Sequence, residues 1–284
     1  MILKVLVDNY TYIDEYYYGE PGVCYWIEVD GKKILFDLGY SDIFIKNAEK
    51  MGFSLLDVDT IVFSHGHNDH TWGIKHLFNL YSKYNINEEQ LKKKKIIGHP
   101  LVFNQKKAEE GEIGFREVDK VILKNFHLHL SKEPIWITDS LVFLGEVERT
   151  NDFENKEPIG KTVIHGREED DYLLDDSALV YKAEEGLVII TSCSHSGICN
   201  IVEYAKKICN HSKVLDIVGG FHLLNPDEQK LKRTLDYLEN LGPRYIYAAH
   251  CTDFQSKLTI ARLLHVKEVG VGLELRYDER DNIR

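Results

Sequence analysis

Apolar positions fall in two rhythms along the chain. Residues 2–7, 24–29 and 33–37 form short apolar runs that predict strands, and Asp30-Gly31 marks a hairpin between the second and third. Residues 41–51 carry apolar positions at helical spacing and stop at Gly52, which predicts a short helix. Residues 60–63 read as a buried strand and 72–84 as a helix. The second half repeats the theme. Residues 178–182 and 187–191 predict a hairpin around Glu185-Gly186, followed by a helix over 197–209 and a strand over 215–218. A helix over 226–241, opened by Asn225-Pro226, precedes a strand over 245–249, a helix over 254–264 and final strands within 268–276.

Each half therefore runs strands first and helix–strand units afterwards. Two mixed β-sheets facing each other, with helices on both outer faces, satisfy that order, so the expected fold is an α/β, four-layer αββα sandwich. Residues 1–284 read as a single domain. The middle, 109–176, is polar and irregular, with acidic clusters at 168–171 and 175–176, and is expected to form insertion loops around an active-site mouth. No short repeat and no low-complexity tract interrupts this plan.

Composition narrows the setting. The chain is 43% hydrophobic and 29% charged, an ordinary globular balance, and no apolar run approaches the ~18 residues of a membrane span. The first apolar run carries Lys4 and meets Asp8 at once, which suits a strand rather than a signal peptide, so a cytoplasmic location is expected. A net charge of −11 disfavours nucleic-acid partners, and the basic run at 92–95 reads as a solvated helix end. The five cysteines are scattered without a C-x-x-C pair, which argues against a disulfide scaffold.

The 13 histidines are the unusual feature, and their placement carries the chemistry. Directly after the 60–63 strand comes Ser64-His65-Gly66-His67-Asn68-Asp69-His70, an H-x-H-x-D-H motif. Its chance occurrence in a chain of this composition is on the order of 10⁻³, so it is a specific signal. In an extended turn at a strand end, His65 and His67 point the same way and can grip one cation. Asp69 and His70, where the chain bends into a helix, can face a second. Imidazole and carboxylate suit Zn²⁺, with Mn²⁺ or Fe as alternatives. His195, His222 and His250 each follow a predicted buried strand. His195 and His250 can complete two metal shells, while His222, after Gly219-Gly220, is a ligand or a substrate-facing acid/base.

The motif 65–70, together with Asp37 in Phe36-Asp37-Leu38-Gly39, resembles the metallo-β-lactamase superfamily. The strings Ser192-Cys193-Ser194-His195-Ser196-Gly197-Ile198, Gly219-Gly220-Phe221-His222-Leu223 and His250-Cys251-Thr252 are similar to its archaeal dihydropterin synthase-like branch. The resemblance spans roughly residues 2–276 and implies the αββα sandwich with a dinuclear metal site at the edge between the sheets. It implies His65, His67 and His195 as ligands of one metal and Asp69, His70 and His250 as ligands of the other. Asp37 resembles the buried acid that orients the ligand loop. Three departures stand out. Ser192-Cys193-Ser194 occupies the place of the aspartate that often bridges the metals, leaving Cys193 or a water alone as the bridge. Trp72 stands where glycine is common, placing a bulky ring near the site. His67 is retained where diiron relatives carry Glu, which favours zinc-type chemistry.

The expected function is that of a dinuclear metal-dependent hydrolase that activates a water against an ester or phosphoester bond of a small anionic metabolite. Asp69 and His222 are its candidate proton-transfer groups. Two alternatives stay open: a transferase joining a dihydropterin to an aminobenzene ribofuranosyl phosphate, and an iron-binding redox protein on the same ligands. A non-catalytic binding module is the remaining class. His99 and His165 are secondary candidates for the pocket. His76, His127, His129, His211 and His265 read as surface or packing residues. Tyr10, Tyr12, Tyr16, Tyr17, Tyr18, Tyr25 and Trp26 form an aromatic cluster that packs strands or stacks a flat ring.

Overall fold

A computed structural model describes residues 1–109 and 111–277. A seven-stranded sheet runs in the order Glu274–Arg276, Ile2–Val7, Cys24–Val29, Lys32–Phe36, Thr60–Val62, Lys95–Gly98, His127–Leu130. A six-stranded sheet runs Tyr245–Ala249, Val214–Gly220, Gly186–Ile190, Leu179–Ala183, Leu141–Phe143, Ile135–Trp136. Both are mixed. In the first, Lys32–Phe36 through His127–Leu130 pair in parallel; in the second, Gly186–Ile190, Val214–Gly220 and Tyr245–Ala249 do.

Strand periodicity of two sorts the apolar side chains into three layers. Ile34, Phe36, Val188 and Ile190 meet in a core between the sheets. Leu35 and Ile61 face outward onto a layer with Phe44, Ile74, Leu77 and Tyr81, which come from the helices Ile43–Lys50 and Ile74–Lys83. Leu187 and Ile189 face the opposite way, onto Ile198, Ile201, Leu235 and Ile260, carried by Ile198–Cys209, Glu228–Leu241 and Phe254–Ala261. Three apolar layers require four layers of structure, the αββα sandwich. Each fully buried side chain of this size contributes about 1.5–3 kcal/mol of transfer free energy. No helix of the described residues is long and apolar enough to cross a membrane.

Two expectations need correction. The segment 109–176 is not only loops. His127–Leu130 extends the parallel edge of the first sheet, Ile135–Trp136 and Leu141–Phe143 complete the second, and a third, four-stranded sheet joins Arg167–Asp170, Lys161–Ile164, Lys106–Ala108 and Gly111–Glu112. Every residue of Arg167–Asp170 is exposed, so no alternation betrays the strand. The second correction concerns Pro226, which does not open its helix. Asp227 is the cap, its carboxylate accepting from Lys230 N, and the helix begins at Glu228.

Candidate metal centre

The predicted site residues collect outside the carboxyl ends of the parallel strands, where open α/β sheets form their crevices. Thr60–Val62 leads into His65 and His67, and the single helical turn Asn68–Thr71 then presents Asp69 and His70. Gly186–Ile190 leads to His195, Val214–Gly220 to His222 and Tyr245–Ala249 to His250. Donor atoms of His65, His67 and His195 lie within 4.8 Å of one another, and so do those of Asp69, His70 and His250. These are the two groups that the resemblance implies; among the described residues three further groups come as close, each including Cys193: with His65 and His70, with His195 and His222, and with His250 and Cys251. Oδ2 of Asp69 lies 3.4 Å from His70 Nε2 and 3.3 Å from His250 Nε2.

The donor set fits divalent cations. Nε2 of His65, His67 and His70 and both ring nitrogens of His195 are buried without a hydrogen-bond partner. A buried polar atom left unpaired costs about 1–3 kcal/mol, and this concentration of bare nitrogens fits a lone-pair acceptor such as a divalent cation. Neutral imidazole and carboxylate in threes are what zinc-class ions take.

Second partners fix the tautomers. Asp37 is fully buried, with φ of 58°, and its Oδ2 accepts from Ser64 Oγ at 2.6 Å, Ser192 Oγ at 2.5 Å and His70 Nδ1 at 2.8 Å. Nδ1 of His70 therefore donates to Asp37, and Nε2 is the nitrogen turned towards Asp69 and the second group. Ser64 has one proton and gives it to Asp37, so its oxygen accepts from His65 Nδ1 at 2.9 Å, which frees His65 Nε2 as well. Asn9 Oδ1 takes the Nδ1 proton of His250 at 3.0 Å, and Asp8 Oδ2 accepts the backbone N–H of His250 at 3.1 Å. A carboxylate, a hydroxyl and an amide oxygen thus hold the outer nitrogens of His70, His65 and His250, and the inner ones face the groups.

Electrostatics keep most of the imidazoles neutral. Burial pulls His67 down to about 3 against the opposing carboxylate of Asp69, and burial with the surrounding histidines holds His65 and His195 well below the ordinary value. His70 goes the other way. Burial opposes its charged form, but Asp69 and Asp37 outweigh burial and push it up to about 10.

The middle segment braces both ligand turns. Asp175 Oδ2 accepts from the N–H of Gly66, between His65 and His67, at 2.8 Å, while its Oδ1 accepts from Lys106 Nζ at 2.9 Å. Lys106 also reaches Asp171 Oδ2 at 2.8 Å, all three side chains being buried. Gly66 cannot be larger, since a Cβ there would stand 2.3 Å from Val102 O. Asp176 Oδ2 accepts from Ser196 N and Oγ at 2.8 and 2.6 Å, next to His195; burial pushes this carboxyl up to about 6 against those bonds. Asn155 Nδ2 donates to His195 O at 2.9 Å.

His222 lies beside the first group, its ring 4.2 Å from that of His195 and its Nδ1 buried without a partner. Its φ of 50° and that of His250 at 44° lie in the left-handed region, a strained placement for non-glycine residues. Gly219-Gly220 permits the close approach behind them: a Cβ on Gly220 would stand 2.4 Å from Ser192 O and 2.5 Å from Cys251 Sγ.

Other candidates fall away from the site. Both nitrogens of His99 are engaged, by Glu146 Oε2 at 3.0 Å and Leu101 N at 3.1 Å, so it braces a turn. His165 is exposed in the turn after Lys161–Ile164, and His127, His129, His211 and His265 are also exposed, while His76 is half-buried. Trp72 faces the loop at 114–116, donating to Gly114 O, stacking on Tyr40 and lying under the Arg116 guanidinium. The aromatic cluster divides: Tyr25 and Trp26 are core residues, whereas Tyr10, Tyr16 and Tyr18 are exposed. Sequence reasoning missed Asp8, Asn9 and Lys106. For Asp8 there was a signal, a carboxylate directly after an apolar strand; for Lys106 none, because its partners lie 65 and 69 residues away.

Comparison with known proteins agrees with this fold. Residues 17–250 match the family model described as the metallo-beta-lactamase superfamily. Two proteins of Methanocaldococcus jannaschii are similar over nearly their whole length. One, the uncharacterized protein MJ0448, is 33% identical over 92% of this chain and 94% of its own. The other, named 7,8-dihydropterin-6-methyl-4-(beta-D-ribofuranosyl)-aminobenzene-5'-phosphate synthase, is 30% identical over 90% of this chain and 88% of its own. Among solved structures, Tm1679, described as a metal-dependent hydrolase of the beta-lactamase superfamily, superposes with a TM-score of 0.80 at 28% identity, covering 97% of this chain and 98% of its own.

Proposed function

The chain belongs to the metallo-β-lactamase superfamily, and on that premise we propose that it is a dinuclear metal-dependent enzyme of the hydrolase type. Its substrate is a small anionic metabolite with an ester- or phosphoester-like bond. The observation that carries this reading is the pair of donor groups, His65/His67/His195 and Asp69/His70/His250, side by side with their bare nitrogens turned inward.

Each group holds one divalent ion, zinc by preference. Two such ions supply Lewis acidity, lowering the pKa of a water towards about 7 and neutralising negative charge on the substrate. The chain's own residues do the rest. Asp69 stands at the joint between the groups and takes the proton of the attacking water. His222, with a free Nδ1 beside His195, donates a proton to the departing group. Asp37, Ser64, Ser192 and Asn9 hold the imidazole planes so that no reorganisation is needed in the reaction.

One observation favours a second reading. The relative named as a synthase is similar over nine-tenths of this chain, so the same centre would serve transfer. The amine of an aminobenzene ribofuranosyl phosphate would replace water as nucleophile at the 6-methyl carbon of a dihydropterin activated there as a phosphate-type ester. The C–O bond would break as the C–N bond forms, the phosphate-type group departing with the electron pair and the amine proton passing to Asp69. Elemental analysis of protein purified without chelator or added metal, with His65→Ala as control, tests the common premise. About two zinc ions per chain, lost in the variant, is the expected result. Turnover of phosphoesters and esters, assayed against condensation of the pterin pair, then decides between hydrolysis and transfer. Iron with visible absorbance would replace both readings by a redox one, and absence of stoichiometric metal would sink all three.

A further inference from the structure

The helix Phe254–Ala261 is apolar on two faces. Ser256 and Ile260 are buried beneath it. Phe254, Leu258 and Ala261 recur at i, i+4 and i+7 on the opposite face, where Phe254 is 64% and Leu258 43% exposed. These three line a cleft of about 380 Å³ together with Val266, Val269 and Tyr10. Backbone pairing fixes the other walls. The segment carrying Val266 runs along the edge strand Tyr245–Ala249, with Ile246 N donating to His265 O at 2.9 Å and Lys267 N to Ile246 O at 2.8 Å. Tyr10 is held through its N–H, which donates to Asp8 Oδ1 at 3.2 Å, and through its carbonyl, which accepts from Val271 N at 2.9 Å. The cleft is therefore preformed.

Its polar content is small and unbalanced. Lys257, one turn after Phe254, places Nζ 4.9 Å from the centroid of the Tyr10 ring, and this ammonium has no hydrogen bond or ion pair among the described residues. Burial holds Lys257 below the ordinary lysine range, against the opposing pull of the Asp8 carboxylate. Lys267 also lines the cleft, and Glu268 is the one acidic side chain of the lining. A half-buried cation without a counter-ion on an apolar wall matches an anion supplied from outside the chain. Concave, mostly apolar sites of about 300–1,000 Å³ with a few placed polar groups take small molecules, and exposed apolar patches of this kind mark binding surfaces. None of the six proposed metal ligands lines the cleft. It lies on the outer side of His250, whose Nδ1 meets Asn9, the residue before Tyr10, while its Nε2 faces Asp69.

We propose that this cleft is a second ligand site, separate from the metal centre, for a small amphipathic anion. The aryl body of the ligand seats on Phe254, Leu258 and Tyr10, and its oxyanion group, a carboxylate, sulfonate or phosphate, pairs with the Lys257 ammonium. The site goes beyond the metal-dependent reading and does not depend on it.

The test is fluorescence titration of the full chain, as purified, with two probes that share one ring system: 8-anilinonaphthalene-1-sulfonate and its uncharged analogue N-phenyl-1-naphthylamine. The sulfonate should saturate at about one equivalent. Lys257→Met should weaken it about 10-fold or more and change the uncharged probe less than about two-fold, because only the charged contact is lost. Leu258→Glu, which sets a carboxylate in the cleft, should abolish sulfonate binding. If either variant fails to fold, acetylation of the unmutated protein followed by peptide mass spectrometry gives an independent answer: the sulfonate should protect Lys257. Sulfonate affinity unchanged in both variants, an equal loss of both probes in Lys257→Met, or no protection of Lys257 would overturn the proposal. So would a chain that fails to bind the sulfonate and sediments as a dimer that Leu258→Glu dissociates, since a second copy would then cover the cleft. Metal content is read on the same samples, and its absence would remove the metal-centre reading while leaving this site standing.

Discussion

A single carboxylate does more for this site than any one ligand. Asp37 accepts three hydrogen bonds on Oδ2 and the backbone N–H of Ser64 on Oδ1, at 2.8 Å. Its replacement by Asn conserves shape but replaces an acceptor with a donor, either against that N–H or against the three groups on Oδ2. Asp37→Asn should therefore weaken zinc binding by about 10–100-fold, read by competition with a chromophoric chelator. An unchanged affinity would remove Asp37 from the orienting role. His222 makes the opposite prediction. If it moves a proton without holding metal, His222→Gln lowers turnover by about 100-fold or more while the zinc content stays at the wild-type value. Loss of one zinc with the activity would place it in a shell instead. At this scale the sequence was informative wherever chemistry is local: the motif 65–70 and the histidines after strands needed only neighbours in the chain. Asn9 on His250 joins residues 241 apart, and no spacing rule reaches that far.

Elements position the ligands through bonds that the pattern of apolar residues does not encode. The helix Ile198–Cys209 follows the His195 turn, and its N-cap, Gly197, has no side chain to satisfy the first amides. Glu154 supplies the cap from a distant part of the chain, its carboxylate accepting from Cys199 N and Asn200 N, both at 3.0 Å. Glu154→Ala leaves two buried N–H groups unpaired and should cost about 1–3 kcal/mol, seen as a lower denaturant midpoint with an unchanged slope. Lys106 is the stricter case, because its ammonium compensates two buried carboxylates. Lys106→Met should cost about 3–5 kcal/mol and loosen the 65–67 turn through Asp175, so zinc affinity falls together with stability. A variant of wild-type stability would show that Asp171 and Asp175 need no counter-ion. Strands and helices with clear periods were legible, from Ile2–Val7 to Tyr245–Ala249. The third sheet was not, because its strands have little to bury, and neither was the Asp227 cap one residue after a proline that is itself a common helix opener.

At the scale of the whole molecule, the two sheets converge on a centre that, on the proposed two-cation reading, is unfavourable without bound ions. Strand ends from both sheets bring buried, unpaired imidazole nitrogens together, and the apolar layers on either side prevent them from separating. Folding therefore assembles the donors against their own desolvation, and metal binding offsets that penalty. Because the unfolded chain cannot present both groups in this geometry, bound metal stabilises the native state by mass action, by about 4 kcal/mol when the free ion stands at 1,000 times its dissociation constant. In a chain of this size that corresponds to a melting temperature higher by on the order of 10 °C. Chelation should lower the melting temperature by that amount, and added zinc should restore it. In His65→Ala the chelator should have much less effect, since the first group is already broken. A melting temperature indifferent to chelator in the unmutated protein would mean that the bare nitrogens find another way to be satisfied, and the ligand assignment would fall with it.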